Sequence, residues 1–220
     1  MKTMLRPIVL ATAAALTTPM VAQAELSANA AATSNYIWRG VTQSNDQAAV
    51  SGGVDFANSG FYAGVWASNL SGSEYELDLY GGYSGEVSGF GYDVGIITYQ
   101  YPVSSAGDFE ELYFNGSYKM FSFGLAYTVG EDASTGGFNK GDLYIHAGAE
   151  FEIKKDVTLG VTIGNYDFDD DINAEDYTHF QLALSKGDFS LSLDKNDLTD
   201  SGSGEDNLRV AVTWSSSFDL

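Results

Sequence analysis

The sequence predicts an all-β membrane protein, a single transmembrane antiparallel β-barrel of about twelve strands behind an N-terminal signal peptide. Three observations predict it. Apolar and small polar residues alternate through nearly all of the chain beyond residue 25. The connections between alternating segments are short and long in turn. Aromatic residues gather near the segment ends, at Tyr36/Trp38, Phe61/Tyr62, Tyr118/Phe121, Phe151, Phe189 and Phe218. Alternation alone also fits a soluble sandwich. Sorted loop lengths and aromatic girdles belong to outer-membrane barrels.

The first element is a leader. Lys2 and Arg6 make a positive start, Pro7 to Leu16 an uncharged, mostly apolar run, and Ala22-Gln23-Ala24 an A-x-A cleavage pattern. The apolar run is shorter than the ~20 residues of a spanning helix. The expected division is therefore a signal peptide over 1–24 and a barrel over 25–220, located in the cell outer membrane.

Strands follow over 26–38, 47–57, 61–69, 75–85, 91–101, 109–118, 121–129, 142–152, 157–167, 176–185, 189–195 and 207–218. In 61–69 two phases are open, with either Tyr62/Trp66 or Phe61/Val65 facing lipid. In 121–129, Phe121, Phe123, Leu125, Tyr127 and Val129 share one face, opposite Ser122, Gly124, Ala126 and Thr128. In 142–152, Leu143, Ile145, Ala147, Ala149 and Phe151 oppose Tyr144, His146, Gly148, Glu150 and Glu152. Val157, Leu159, Val161 and Ile163 oppose Thr158, Gly160, Thr162 and Gly164, and Phe180, Leu182 and Leu184 oppose His179, Gln181, Ala183 and Ser185. The last strand carries Leu208, Val210, Val212, Trp214, Phe218 and Leu220 on one parity. Such strands commonly end on a Phe read by the barrel assembly machinery; here Leu220 is last. Tight connections follow the even strands and longer polar ones most of the odd strands, Leu70 to Glu74 excepted. An even strand count puts both termini on one side, with the tight turns facing the periplasm and the longer loops outside.

Composition narrows the function. Lys plus Arg number 10 and Asp plus Glu 30, a net charge of -20, so nucleic acid is not an expected partner. Zero cysteine removes disulfides, thiolate catalysis and Cys-based metal sites. No phosphate-loop, HExxH or GxSxG motif is present. The acidic stretch Asp167 to Asn173 lacks the sixth-position Gly and twelfth-position Glu of a calcium loop, with Ile172 and Thr178 there instead. It reads as a solvated loop, with a weak divalent-ion bridge to lipopolysaccharide as the alternative.

The stretch Ser34-Asn35-Tyr36-Ile37-Trp38-Arg39-Gly40-Val41-Thr42-Gln43, with Gly60 to Asn69 and Tyr75 to Tyr83, resembles the TorF family of proteobacterial outer-membrane proteins. The pattern S-N-Y-x-W-R-G-x-T-Q carries most of the likeness. The resemblance implies an outer-membrane barrel with a channel role, and it brings no substrate and no catalytic residues.

The alternation turns Asp55, Glu76, Asp78, Asp93, Glu111, Tyr113, His146, Glu150, Asp194 and Arg209 toward the lumen, with Glu152 on the same face and Arg39 at the rim of the first strand. These are the candidate pore-lining residues. Barrels of about eight strands are filled by side chains and those of about sixteen hold a channel, so a narrow bore is expected. Inward Tyr80, Tyr113, Tyr144 and Tyr166 would constrict it. The expected function is passive diffusion of small solutes or ions, cation-preferring, without enzyme chemistry, metal or cofactor. Its expected partners are lipid, lipopolysaccharide, the assembly machinery and the solutes themselves. Two other classes stay open: a closed structural or adhesive barrel acting through its outer loops, and a rim hydrolase using His146 or His179 with an acid such as Asp142.

Overall fold

A computed structural model describes residues 25–103, 107–131, 138–169, 175–199, 204 and 206–220. The expected leader over 1–24, and most of the acidic stretch 167–173, lie outside them. Twelve strands form one closed barrel: β1 Glu25–Thr33, β2 Ala49–Asn58, β3 Phe61–Asn69, β4 Tyr75–Val87, β5 Phe90–Gln100, β6 Phe109–Tyr118, β7 Phe121–Glu131, β8 Leu143–Lys154, β9 Val157–Asp167, β10 Tyr177–Lys186, β11 Phe189–Asn196 and β12 Arg209–Asp219. Each pairs antiparallel with the next, and β12 returns to β1 from Ser27↔Asp219 to Thr33↔Thr213. Closure satisfies every ladder group within the sheet, the condition for strands to cross a bilayer.

Turn chemistry sets one end of the barrel. Ser59-Gly60, Ser88-Gly89, Lys119-Met120, Lys155-Asp156 and Gly187-Asp188 are the two-residue connections after the even strands. Ser59 and Gly60 have φ of 54° and 89°, Ser88 and Gly89 of 52° and 80°. Left-handed conformations at both central residues suit the right-handed twist of paired strands. The other end carries the longer connections, among them the segment 34–48.

The outer face is apolar. Val54, Leu79, Val94, Leu112, Leu125, Ile145, Val161, Leu182, Leu191 and Val210 are all exposed. So much contiguous apolar surface calls for a lipid surround. Phe61, Tyr118, Phe121, Phe151, Phe189 and Phe218 are exposed near the short-turn end, forming an aromatic girdle there. The open phase of β3 resolves: Phe61 and Val65 are exposed, whereas Tyr62 reaches Asp93 and Trp66 packs on Tyr36.

One expectation fails. The first strand does not run to Trp38 but stops at Thr33. Tyr36 and Trp38 belong to no girdle: Tyr36 is 6% exposed, and Trp38 packs against Tyr99, Phe109 and Tyr166 inside the barrel. Arg39, expected at the rim, is buried with them. The physical reason is local. Tyr36-Ile37-Trp38 is a run of consecutive large apolar residues, and a half-buried strand cannot place all of them on one face.

Candidate functional site

The segment after β1 turns inward as a small hairpin. Ile37 pairs with Thr42 and Trp38 with Val41, leaving Arg39-Gly40 as its two-residue tip. Both tip residues are left-handed, with φ of 47° and 81°. Asn35 ties the base together. Its side-chain amide donates to Asp46 at 2.8 Å, and its carbonyl oxygen accepts from Thr42 at 2.6 Å and Ser44 at 3.2 Å. Arg209 on β12 donates to the same Asp46 at 3.0 Å, anchoring the base to the wall.

The hairpin contacts opposite walls of the lumen at once. Tyr36 donates its hydroxyl to Glu76 on β4 at 2.8 Å. Arg39 forms a two-pronged pair with Glu111 on β6, Nη1 to Oε1 at 2.8 Å and Nη2 to Oε2 at 2.6 Å. Its guanidinium lies 4.1 Å from the ring of Trp38, 4.2 Å from Tyr144 on β8 and 5.1 Å from Tyr166 on β9. The Gly40 carbonyl accepts from Asn196 on β11 at 2.9 Å. Burial opposes the charge on Arg39, but Glu111, Tyr166 and Tyr99 together outweigh it, so its pKa rises and the guanidinium stays protonated. Tyr99 and Tyr166 also donate to Glu111, each at 3.3 Å, holding the carboxylate from behind. Around this pair stack Tyr99, Phe109, Phe138, Tyr166 and Phe168.

Gly40 is required at the tip. A Cβ there would sit 2.4 Å from Cβ of His179, and an L residue at that φ is strained besides. Gly40→Ala should cost the docked hairpin about 1–2 kcal/mol from handedness alone, and more from the clash. Hydrogen exchange should quicken at the amides of 36–43 and stay slow in the barrel strands. Unchanged exchange at 36–43 would show that the tip has more room than its contacts indicate.

A second layer lies toward the short turns. Asp55 accepts from Asn29 at 3.0 Å and from the Tyr80 hydroxyl. Asp93 accepts from Tyr62 at 2.6 Å, and Tyr62 in turn meets Tyr113. Glycine makes space for these rings: Tyr80 lies across Gly64, Tyr62 across Gly82 and Tyr113 across Gly95, each on its facing strand. Back at the long-loop end, Asp194 on β11 accepts from Gln181 and Ser192, both at 2.7 Å.

The ten candidate residues thus turn inward at two depths. Glu76, Asp78, Glu111, Asp194 and Arg209 stand near the long-loop end, Asp55, Asp93, Tyr113 and Glu150 deeper, and His146 between. Glu152 is exposed. Among the described residues, the cations facing this interior are Arg39 and Arg209; most of the acids are held by neutral donors instead. Among the described residues, buried Oδ1 of Asp78 has no hydrogen-bond partner.

Among the described residues, the histidines form no pair with an acid. His146 Nε2 meets Asn115 at 3.3 Å, and His179 Nε2 meets the Tyr144 hydroxyl at 2.8 Å. Asp142 instead accepts from the backbone N–H groups of Asn139 and Asp169. No group of three or more His, Cys, Asp or Glu able to hold a metal occurs among the described residues.

The inward hairpin is what sequence reasoning missed, and the break in alternation at Tyr36 to Trp38 was its signal.

Comparison with solved structures places the fold among porins. The KdgM porin aligns with a TM-score of 0.55 at 9% identity, over 88% of this chain and 99% of its own. The NanC porin aligns with a TM-score of 0.51 at 16% identity, over 89% of this chain and 100% of its own. KdgM is also known in complex with disordered oligogalacturonate, aligning at a TM-score of 0.53 and 9% identity over 89% of this chain and 99% of its own. Comparison with curated proteins finds no match. Residues 18–199 match the family described as a bacterial protein of unknown function, Gcw_chp. The chain belongs to the Gcw_chp family of bacterial proteins.

Proposed function

We propose that the chain is a porin-like channel of the outer membrane. It passes small solutes or ions, prefers cations, and is narrowed by its own first long loop. The observation that carries this reading is the pairing of a lipid-compatible closed barrel with an acidic interior, in a fold shared with porins of matching length. Walls of low dielectric focus the field of Asp55, Glu76, Asp78, Asp93 and Glu150, raising the local cation concentration. Glu76 and Asp78 lie beside the hairpin, where a passing ion is most confined. The TorF likeness implies the same channel role. Whereas KdgM is known in complex with an oligogalacturonate, this interior is acidic and suits the opposite charge.

The test is conductance of the refolded protein in planar bilayers. Discrete current steps are expected, with weaker cation preference after Glu76→Gln combined with Asp78→Asn. Selectivity unchanged by that pair would remove them from the filter.

The docked hairpin favours one second reading, a closed barrel acting through its outer loops. A silent wild type together with silent loop-releasing variants would establish that reading instead.

A further inference from the structure

We infer that the lumen holds a binding site for a guanidinium group or a similar planar organic cation, which Arg39 occupies as a built-in ligand. The inference rests on the channel reading and gives its solute class. Most of the cage belongs to the barrel wall rather than to the loop that fills it. Glu111 supplies both carboxylate oxygens from β6, and Tyr144 and Tyr166 supply ring faces from β8 and β9. The hydroxyls of Tyr99 and Tyr166 orient Glu111 independently of the loop. This wall set would remain in place when the hairpin lifts away, losing only the Trp38 ring.

The cage's shape is selective. Two parallel hydrogen bonds to one carboxylate match a flat fork of N–H donors, and the flanking rings match a delocalised, weakly hydrated cation. A compact ammonium or a sodium ion presents no flat fork of parallel N–H donors, cannot stack on the rings as a planar group, and would lose more hydration. The tether is strained where the cage is not: Arg39 holds a left-handed φ of 47° to reach its seat. A free guanidinium bears no such strain, so a solute carrying one competes with Arg39 for the cage. Seating that solute displaces the hairpin, and deeper in the lumen lie further carboxylates, Asp93 and Asp55. The plug thereby opens to the class of solute it imitates.

The experiment restores the missing group chemically. The chain over residues 25–220 carrying Arg39→Ala is refolded, and guanidinium chloride at millimolar concentration is compared with sodium chloride at equal ionic strength. Two readouts are taken, block of bilayer current and the temperature at which the heat-modifiable gel band shifts. Guanidinium should block at a concentration about tenfold lower than sodium, from cation–π and two-pronged contacts together, and should raise the melting temperature. Adding Glu111→Gln should abolish both effects. Current in the Arg39→Ala channel that does not distinguish the two salts, with no melting shift, overturns the cage and leaves the channel reading intact. A melting shift without current in any variant upholds the cage and removes the channel. Should Arg39→Ala not fold, wild type is used: guanidinium should quicken hydrogen exchange across 34–48 relative to sodium, and equal exchange in both salts overturns the proposal.

Discussion

Replacing Glu111 by alanine should release the first loop and enlarge the conductance. The carboxylate is 1% exposed and is the ionic partner of a guanidinium sealed among aromatic rings. Removing one member of such a pair strands the other without water or counter-charge, at a cost of about 3–5 kcal/mol. The hairpin escapes that cost by undocking, since Arg39 then regains its hydration. The ratio of docked to undocked hairpin should fall by about two to four orders of magnitude. Larger single-channel steps, and proteolysis within 34–48 of the reconstituted protein, check it. Equal step size and equal resistance to protease would mean that packing of Tyr36 and Trp38 holds the hairpin without the ion pair.

Arginine on the lipid face should be nearly as costly. Leu125, Val161 and Leu182 lie near mid-strand and are exposed on the outer surface. Arg at any of them should lower barrel stability by about 2–4 kcal/mol, the cost of a guanidinium at bilayer mid-depth. Thr162 points inward on β9 and is only half-buried, so Thr162→Arg should cost much less. Ala126 and Ala183 point inward too but are tightly buried, at 5% and 3% exposure. There the volume of an arginine adds a packing cost, and the contrast between faces is less clean. Urea unfolding in lipid vesicles measures the difference. Equal cost at Val161 and Thr162 would contradict the assignment of faces.

The barrel was legible because period two is a local signal repeated many times. Strand bounds over 61–69, 109–118 and 157–167 coincide with β3, β6 and β9. Inward placement of the acidic residues followed from the same parity. The hairpin was not legible by that rule. Reading 26–38 as one strand took Tyr36 and Trp38 as girdle residues, although three large apolar neighbours in a row already break alternation. The partner of Arg39 lies 72 residues away on another strand, and that of Asn196 lies 156 residues away. No local spacing encodes contacts closed across a barrel. The stretch from Ser34 to Gln43, on which the sequence resemblance to the TorF family rests, turns out to be this hairpin: Asn35 at its base, Tyr36 and Arg39 on the wall carboxylates, Gly40 at the tip and Thr42 closing back on Asn35.

Ion selectivity tests the central claim most directly. Reversal potential is measured across a KCl gradient with the refolded protein in a planar bilayer, on wild type and on Glu111→Ala. The acidic lumen should displace the potential toward that of potassium, and the displacement should shrink as salt rises and screens the lining. A displacement toward chloride would contradict the assignment of the acidic residues to the ion path, and absence of current in both proteins would contradict the channel itself.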